Sequence, residues 1–412
     1  MPRFEPFAGL RYAPAALASH GASLDDVVAP PYDVIDPAGR EALVRRSPLN
    51  AVRLELPEPE VGKDRYSAAA ALLSGWMEAG VLRLDADPAF YLYAMSYTDH
   101  AGRSRRTSGV IGALEASPAA DGQVLPHEQT MPKPKGDRLD LLRACRANIS
   151  PVWGLSLAAG LSSCWEPFPA EEPDAVALDI DGVTHECWPI TDPAAIGKIA
   201  SVVGSAAVLL ADGHHRYETS IAYREEMRAA ARGAAGDYDL VMALVVELAE
   251  DQLAVGPIHR ILTGLPEGYD LVGALARGFE MQPAPGLSGA FAQGGSMAAL
   301  LAEAGGPALV TGEGAWYMRA RPEVVAAAED DLDSSRLGLA LEGIAGHELS
   351  YHHDPAEVVR AVREGGANAG ILIRPASVAV IERAGRERRR LPAKSTFFTP
   401  KPRTGMVFRL LR

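Results

Sequence analysis

Polar and apolar positions along the chain follow two repeating patterns. Short apolar or alternating stretches predict strands over 51–56, 90–97, 107–116, 152–157, 175–180, 184–190, 206–210, 240–247 and 253–261. A period near 3.6 predicts helices over 37–46, 64–79, 137–146, 193–203 and 214–232, then over 269–279, 296–304, 355–364 and 376–383. Strands over 308–310, 315–319 and 370–373 interleave with the later helices, and a hairpin of 395–398 with 405–411 closes the chain. Asp181-Gly182, between two strand patterns, is a hairpin-turn signal. Pro30 and Pro31 forbid a helix in the apolar run from Val27 to Val34. The expected class is α/β of the mixed α+β kind, with mixed sheets and hairpins. Two regions are expected, 1–192 and 193–412.

The clearest local unit is the strand 206–210, the turn Asp212-Gly213 and the helix that begins at His214. A strand–turn–helix of this kind points the helix's free N–H groups at whatever the turn surrounds. Asp212, Gly213, His214, His215 and Arg216 stand together there. Asp212 is placed to hold magnesium or to take a proton from an attacking hydroxyl. Gly213 permits a tight turn and close backbone approach. His214, His215 and Arg216 suit anionic phosphate oxygens. The competing reading is an Asp-Gly helix cap with surface histidines, but cations on a first turn oppose the helix dipole.

A second cluster joins His127 and Glu128 to Lys133, Lys135, Asp137 and Arg138. It is not HExxH, so a zincin site is not expected; it suits a loop that faces phosphate. A third, from Lys394 to Lys401, resembles the tail of a P-loop without its glycines. Lys394 and Lys401 are cations within reach of a phosphate, and Phe397 and Phe398 read as sheet core. The group from His347 to Asp354 fits no standard metal-ligand spacing. The basic run Arg386 to Arg390 reads as a solvated helix end.

Forty Lys and Arg against 53 Asp and Glu give a net charge of −13. That balance excludes a general basic surface for nucleic acid but leaves room for a local anion pocket. Cys145, Cys164 and Cys187 are too few and scattered for a disulfide framework, which points to a reducing cytoplasm. MPRFEPFAGLRY lacks a signal-peptide core, and no apolar run approaches the roughly 18 residues of a membrane helix. A soluble, cytoplasmic protein is expected.

The motifs VVAPPYDVI, SPLNAVRLELP, HEQT, DRLDLLRACRANISPVWGL, ADGHHRYETS, GPIHRIL and KSTFFTPK run in order from residue 27 to residue 401. Together they resemble the bacterial and archaeal family known as domain of unknown function 1015. The strand–DGHHR–helix segment, about residues 206–223, is also similar to the nucleotide-binding signature of the ParB/sulfiredoxin superfamily, which includes a free-serine kinase. That resemblance implies a turn and helix start that hold nucleotide phosphates, with ATP or ADP and Mg²⁺ as cofactors. It further implies phosphoryl transfer to a small hydroxyl-bearing metabolite, with free serine as the candidate acceptor. On this reading Asp212 and Glu128 hold the metal or accept the proton, with His214 beside them as catalytic residue. Gly213, His215, Arg216, His127, Lys133, Lys135, Arg138 and Lys394 bind the nucleotide. Sulfiredoxin's cysteine has no counterpart in the motif. Two other readings stay open: a metal-assisted phosphatase or nucleotide hydrolase, and a non-catalytic nucleotide-binding regulator. The expected partners are a nucleotide and a small-molecule substrate, not nucleic acid or membrane.

Overall fold

The computed structural model describes residues 1–99, 102–127, 136–166, 168, 171–287 and 297–412. The chain forms two compact units, Met1–Ala254 with Pro400–Arg412, and Val255–Thr399. The boundary expected at 192/193 thus falls inside unit 1, because strands on either side of it belong to one sheet.

The strands of that sheet are β1 (Phe4–Glu5), β2 (Phe90–Thr98), β3 (Ser104–Glu115), β4 (Val124–Pro126), β5 (Val152–Ser156), β6 (Ala175–Leu178), β7 (Thr184–Ile190), β8 (Val208–Asp212) and β9 (Leu240–Glu247). Their order is β4-β8-β5-β9-β3-β2-β7-β6, with β1 beside the end of β3. The sheet is mixed: β8 runs parallel to β4 and antiparallel to β5, and β9 runs parallel to β5. The β2–β3 and β6–β7 pairs are the hairpins that alternation and Asp181-Gly182 predicted.

Helices of unit 1 include α1 (Pro37–Arg46), α2 (Val52–Glu55), α3 (Arg65–Glu78), α4 (Gly136–Cys145), α5 (Pro193–Val203) and α6 (His214–Ala230). The starts of α1 and α5 are written locally. Asp36 accepts from Gly39 N–H and Asp192 from Ala195 N–H, each followed by a proline that needs no hydrogen-bond acceptor. On α5, Ile199 and Val203 pack into the core with Val208 and Leu210, each worth about 2 kcal/mol of apolar burial.

Two expectations fail in unit 1. Residues 51–56 form a helical turn, α2, not a strand. Val52, Leu54 and Glu55 are all buried, so the apparent alternation marks no exposed face. The Asn50 side chain fixes the turn: its Oδ1 accepts from Val52 N–H, and its amide donates to Asp26 O and Val28 O. The closing hairpin does not form either. Phe397–Thr399 lies in unit 2, and Arg409–Leu410 of unit 1 pairs with Ala147–Asn148.

Unit 2 is an antiparallel sheet of β10 (His259–Thr263), β11 (Phe279–Pro283), β12 (Ala308–Thr311), β13 (Ala315–Ala320), β14 (Glu348–His352) and β15 (Ala369–Leu372), ordered β11-β13-β12-β15-β10-β14. It carries α7 (Asp333–Leu341), α8 (Pro355–Arg363) and α9 (Val378–Arg386). The helix expected over 269–279 is only Leu271–Leu275, and the strand β11 starts at Phe279. Pro257 falls between the two pieces into which 253–261 divides. Among the described residues, no helix is long and apolar enough to cross a membrane.

Candidate functional site

The site is built where β8 ends. Leu210 pairs with Gly154 while Asp212 pairs with Trp153, so Ala211 is an extra residue in the strand. A bulge of this kind re-aims the side chain that follows it. Gly213 then turns the chain at φ 82°, in the left-handed region that glycine enters without strain. The first helical bond of α6 runs from Tyr217 N–H to Gly213 O. The N–H groups of His214, His215 and Arg216 therefore open the helix, and the Gly213 cap supplies no side-chain acceptor for them. The first turn contains no acidic residue. Tyr217 fixes the helix from below: its hydroxyl accepts from Ser117 N–H and meets Glu115 O, at 3.0 Å each.

Asp212 sits between two cations. Lys401 Nζ lies 2.6 Å from Oδ1, and Arg216 Nη2 lies 2.9 Å from Oδ2. All three side chains are largely buried. Burial opposes the carboxylate's charge, but Lys401 and Arg216 outweigh it and hold its pKa at about 2. Two cations against one carboxylate leave a net positive charge at a helix N-terminus, a combination that favours an anion.

Of the two expected metal ligands, Glu128 lies outside the described residues, and each oxygen of Asp212 is already taken by a cation. A divalent cation there would have to displace Lys401 from Oδ1 or Arg216 from Oδ2. Among the described residues no group of three or more His, Cys, Asp or Glu could hold a metal.

Arg216 links this centre to a second charged group. Its Nη1 donates to Ser150 Oγ at 3.0 Å and to Pro151 O at 2.5 Å, while its buried Nε has no hydrogen-bond partner among the described residues. Ser150 Oγ donates in turn to Glu55 Oε1 at 2.9 Å. Arg138 Nη1 donates to Glu55 O, and Arg138 also holds Asp137. The Tyr32 ring lies 4.5 Å from the Arg138 guanidinium and 5.9 Å from that of Arg216. A small cavity of about 50 Å³ is lined by Glu55, Arg138, Asn148, Ser150 and Arg216 among others.

The two histidines lie side by side, their ring centroids 5.2 Å apart. His127 Nδ1 donates to Leu210 O, next to the bulge. His214 Nε2 is buried with no hydrogen-bond partner among the described residues. Burial first, then the neighbouring His127, lowers the His214 pKa to about 3. In the ligand-free protein His214 therefore favours the neutral imidazole, not the cation the sequence suggested.

The structure thus gathers Asp212, Gly213, His214, Arg216 and His127 at one place, with His215 half-buried beside them. Arg138 joins through Tyr32 and Glu55. Lys394 belongs to unit 2, where its carbonyl accepts from Arg260. Glu128, Lys133 and Lys135 lie outside the described residues. Asp212 also differs from its expected role, since a carboxylate with a pKa near 2 is a poor proton acceptor at neutral pH. Tyr32, Glu55 and Ser150 were not assigned from sequence. Their signal was present only as the motifs PPYD, SPLNAVRLELP and NISP, which say nothing of spatial proximity.

The family model described as protein of unknown function (DUF1015) matches residues 4–335, and the chain belongs to that family. No curated protein matches the chain. Among solved structures, a free serine kinase variant in complex with AMP is similar at 13% identity and a TM-score of 0.36, over 67% of this chain and 84% of that one. A second variant, in complex with ADP, gives 14% and 0.35 over the same shares. SbnI with a C-terminal truncation, from Staphylococcus aureus, gives 12% and 0.37, over 72% of this chain and 86% of that one. All three are distant likenesses.

Proposed function

We propose that this member of the DUF1015 family is a phosphotransferase that moves a phosphoryl group from a nucleotide to a small hydroxyl-bearing metabolite, with free serine as the first acceptor to test. The observation that carries the reading is the uncapped start of α6, flanked by Lys401 and Arg216 and held in register by Asp212. Backbone N–H groups, a helix dipole and two buried cations are what phosphate oxygens require. Phosphoryl transfer asks mainly for positioning and electrostatic stabilisation, and a site of this charge supplies both.

In this reading the α6 N–H groups, Arg216 and Lys401 bind phosphate oxygens. Asp212 keeps the two cations apart and aimed. His214 offers a neutral nitrogen to a ligand hydroxyl or phosphate oxygen. Asp212, its pKa lowered by Lys401 and Arg216, is a weak proton acceptor, and Glu128 is the other carboxylate that the sequence suggested for the role. Any magnesium is expected on the nucleotide's phosphates, since both oxygens of Asp212 already face cations.

The test is phosphorus NMR of the full chain with magnesium, ATP or ADP, and L-serine, beside the same mixture without serine. A serine-dependent phosphomonoester resonance is the expected result. Inorganic phosphate at equal rates with and without serine would replace the proposal with a nucleotide hydrolase. Unchanged spectra together with measurable nucleotide binding would replace it with a non-catalytic regulator.

A further inference from the structure

Lys401 reaches Asp212 from a point 189 residues away in the sequence, on a segment without regular secondary structure of its own. Something must hold that segment. Two residues beyond Lys401, Arg403 is almost fully buried and lies in a closed set of hydrogen bonds. Its Nε donates to Asp179 Oδ2 at 2.6 Å, and its Nη2 donates to Asp181 Oδ2 at 2.5 Å and also pairs with Asp179. Its backbone N–H donates to Tyr93 Oη at 3.1 Å.

Tyr93 Oη lies 2.7 Å from His185 Nδ1, and His185 Nε2 lies 2.8 Å from Asp179 Oδ2. The proton arrangement follows from the ends. Asp179 only accepts, so a neutral His185 carries its hydrogen on Nε2 and donates it there. Its bare Nδ1 takes the phenol's hydrogen, while the phenol oxygen accepts from Arg403 N–H. The ring is closed with a neutral imidazole, consistent with burial lowering the His185 pKa. Asp179 Oδ1 is engaged as well, accepting from Asp181 N–H and Val183 N–H in the turn between β6 and β7.

The next residue continues the anchor. Thr404 N–H donates to Ala29 O at 2.8 Å, and Ala29 N–H donates back to Thr404 O at 3.0 Å. Ala29 precedes Tyr32 by three residues, so the same segment holds the loop that carries Tyr32 against Arg138 and Arg216.

We propose that Arg403 is a positioning residue of the anion site, whose fork on Asp179 and Asp181 fixes the 400–404 segment and so delivers Lys401 to Asp212. Two residues of chain span at most about 7 Å, so a fixed Arg403 backbone confines Lys401 closely. A buried ion cluster contributes little net stability compared with apolar packing. Its distinctive contribution is geometric, because a planar fork on two carboxylates allows one orientation. The inference rests on the anion-site reading above.

The test is a double-mutant cycle on the full chain with ADP as the probe, measured by titration calorimetry. Lys401→Met is expected to weaken ADP binding about tenfold, the loss of one charge-assisted contact. Arg403→Lys keeps a positive charge beside Asp179 but loses the fork, and should weaken binding several-fold. The double variant should bind no more weakly than Lys401→Met alone. Losses that simply multiply, or parental affinity in Arg403→Lys, would overturn the inference.

A ligand-free readout separates this inference from the reading it rests on. In Arg403→Lys the Asp212 carboxyl, followed by carbon-13 NMR, should titrate upward toward the ordinary carboxylate range as Lys401 loosens. An unmoved Asp212 would refute the positioning role whether or not ADP binds. Absence of ADP binding by the parent chain, with Asp212 displaced in the variant, would refute the anion site alone. Asp181→Asn is the milder variant should Arg403→Lys fail to fold, because the Asp181 side chain is 66% exposed. It should shift both readouts in the same direction by less.

Discussion

Replacing Asp212 with Asn removes the charge shared by Lys401 and Arg216 while keeping the side chain's shape. The carboxyl pKa falls from 3.8 to about 2 in the folded chain. At about 1.4 kcal/mol per unit, that depression corresponds to roughly 2 kcal/mol of stability at neutral pH. The side chain is only 14% exposed, so solvent screening takes little from this figure. Breaking a buried ion pair costs about 3–5 kcal/mol when nothing replaces the lost partner, and the Asn oxygen still accepts one hydrogen bond, so about 2–3 kcal/mol is expected. For a unit of this size the melting midpoint should fall by about 4–12 °C. The pH dependence fixes the cause. A carboxyl whose folded pKa is depressed contributes fully above its unfolded value, and its contribution fades as pH falls through the folded value. The difference between parent and variant should therefore be flat from pH 8 to about pH 5 and shrink below about pH 4. Scanning calorimetry across that range measures it. A second sign should accompany the first: with no carboxylate to aim Lys401 and Arg216, ADP should raise the variant's midpoint by less than the parent's. A variant that melts within about 1 °C of the parent at pH 7 would show that Asp212 is not the charge centre of the site.

Two further outcomes are expected. Gly213→Ala forces a Cβ into a φ 82° turn, at about 1–2 kcal/mol, and sets it 3.1 Å from the Arg216 guanidinium carbon. Both the melting midpoint and ADP affinity should fall, whereas intact affinity in calorimetry would reduce Gly213 to a turn residue. His214 should not titrate between pH 8 and pH 5 in the ligand-free protein, since burial and His127 hold its pKa at about 3. The unfolded chain takes up that proton near pH 6.5, so this group disfavours the folded state increasingly as pH falls below that value. An imidazole resonance of His214 moving with a midpoint near 6.5 would contradict the burial argument.

Unit 1 keeps opposite charges close in places that largely exclude water. Asp212 with Lys401 and Arg216, Glu55 with Ser150 and Arg138, and Asp179 with Arg403 and His185 are three such groups in unit 1. Each would be costly with one member missing. That makes the arrangement specific without making it the main source of stability, which lies in the apolar cores against which the sheet and helices pack.

Local sequence determined the elements whose signals are local. Proline after a capping aspartate sets α1 at Pro37–Arg46 and α5 at Pro193–Val203, as the period predicted. The strand, the left-handed Gly213 and the helix after it were equally legible, because turn chemistry and helix start are decided within a few residues. Where burial surrounds an element, the pattern misleads. Val52, Leu54 and Leu56 alternate like a strand, yet Asn50 and packing on several sides make a helical turn. The C-terminal segment is the fuller case. Its residues suggested a hairpin with itself, but Thr404 pairs with Ala29, Arg403 docks on the β6–β7 turn, and Arg409 pairs with Asn148. Those partners lie far away in the chain, and no local propensity encodes them. The same holds for the charges at the site. The sequence supplied Asp212 and a row of apparent cations, but tertiary structure lowered the His214 pKa, by burying much of the ring beside His127, and brought Lys401 across 189 residues to complete the pair.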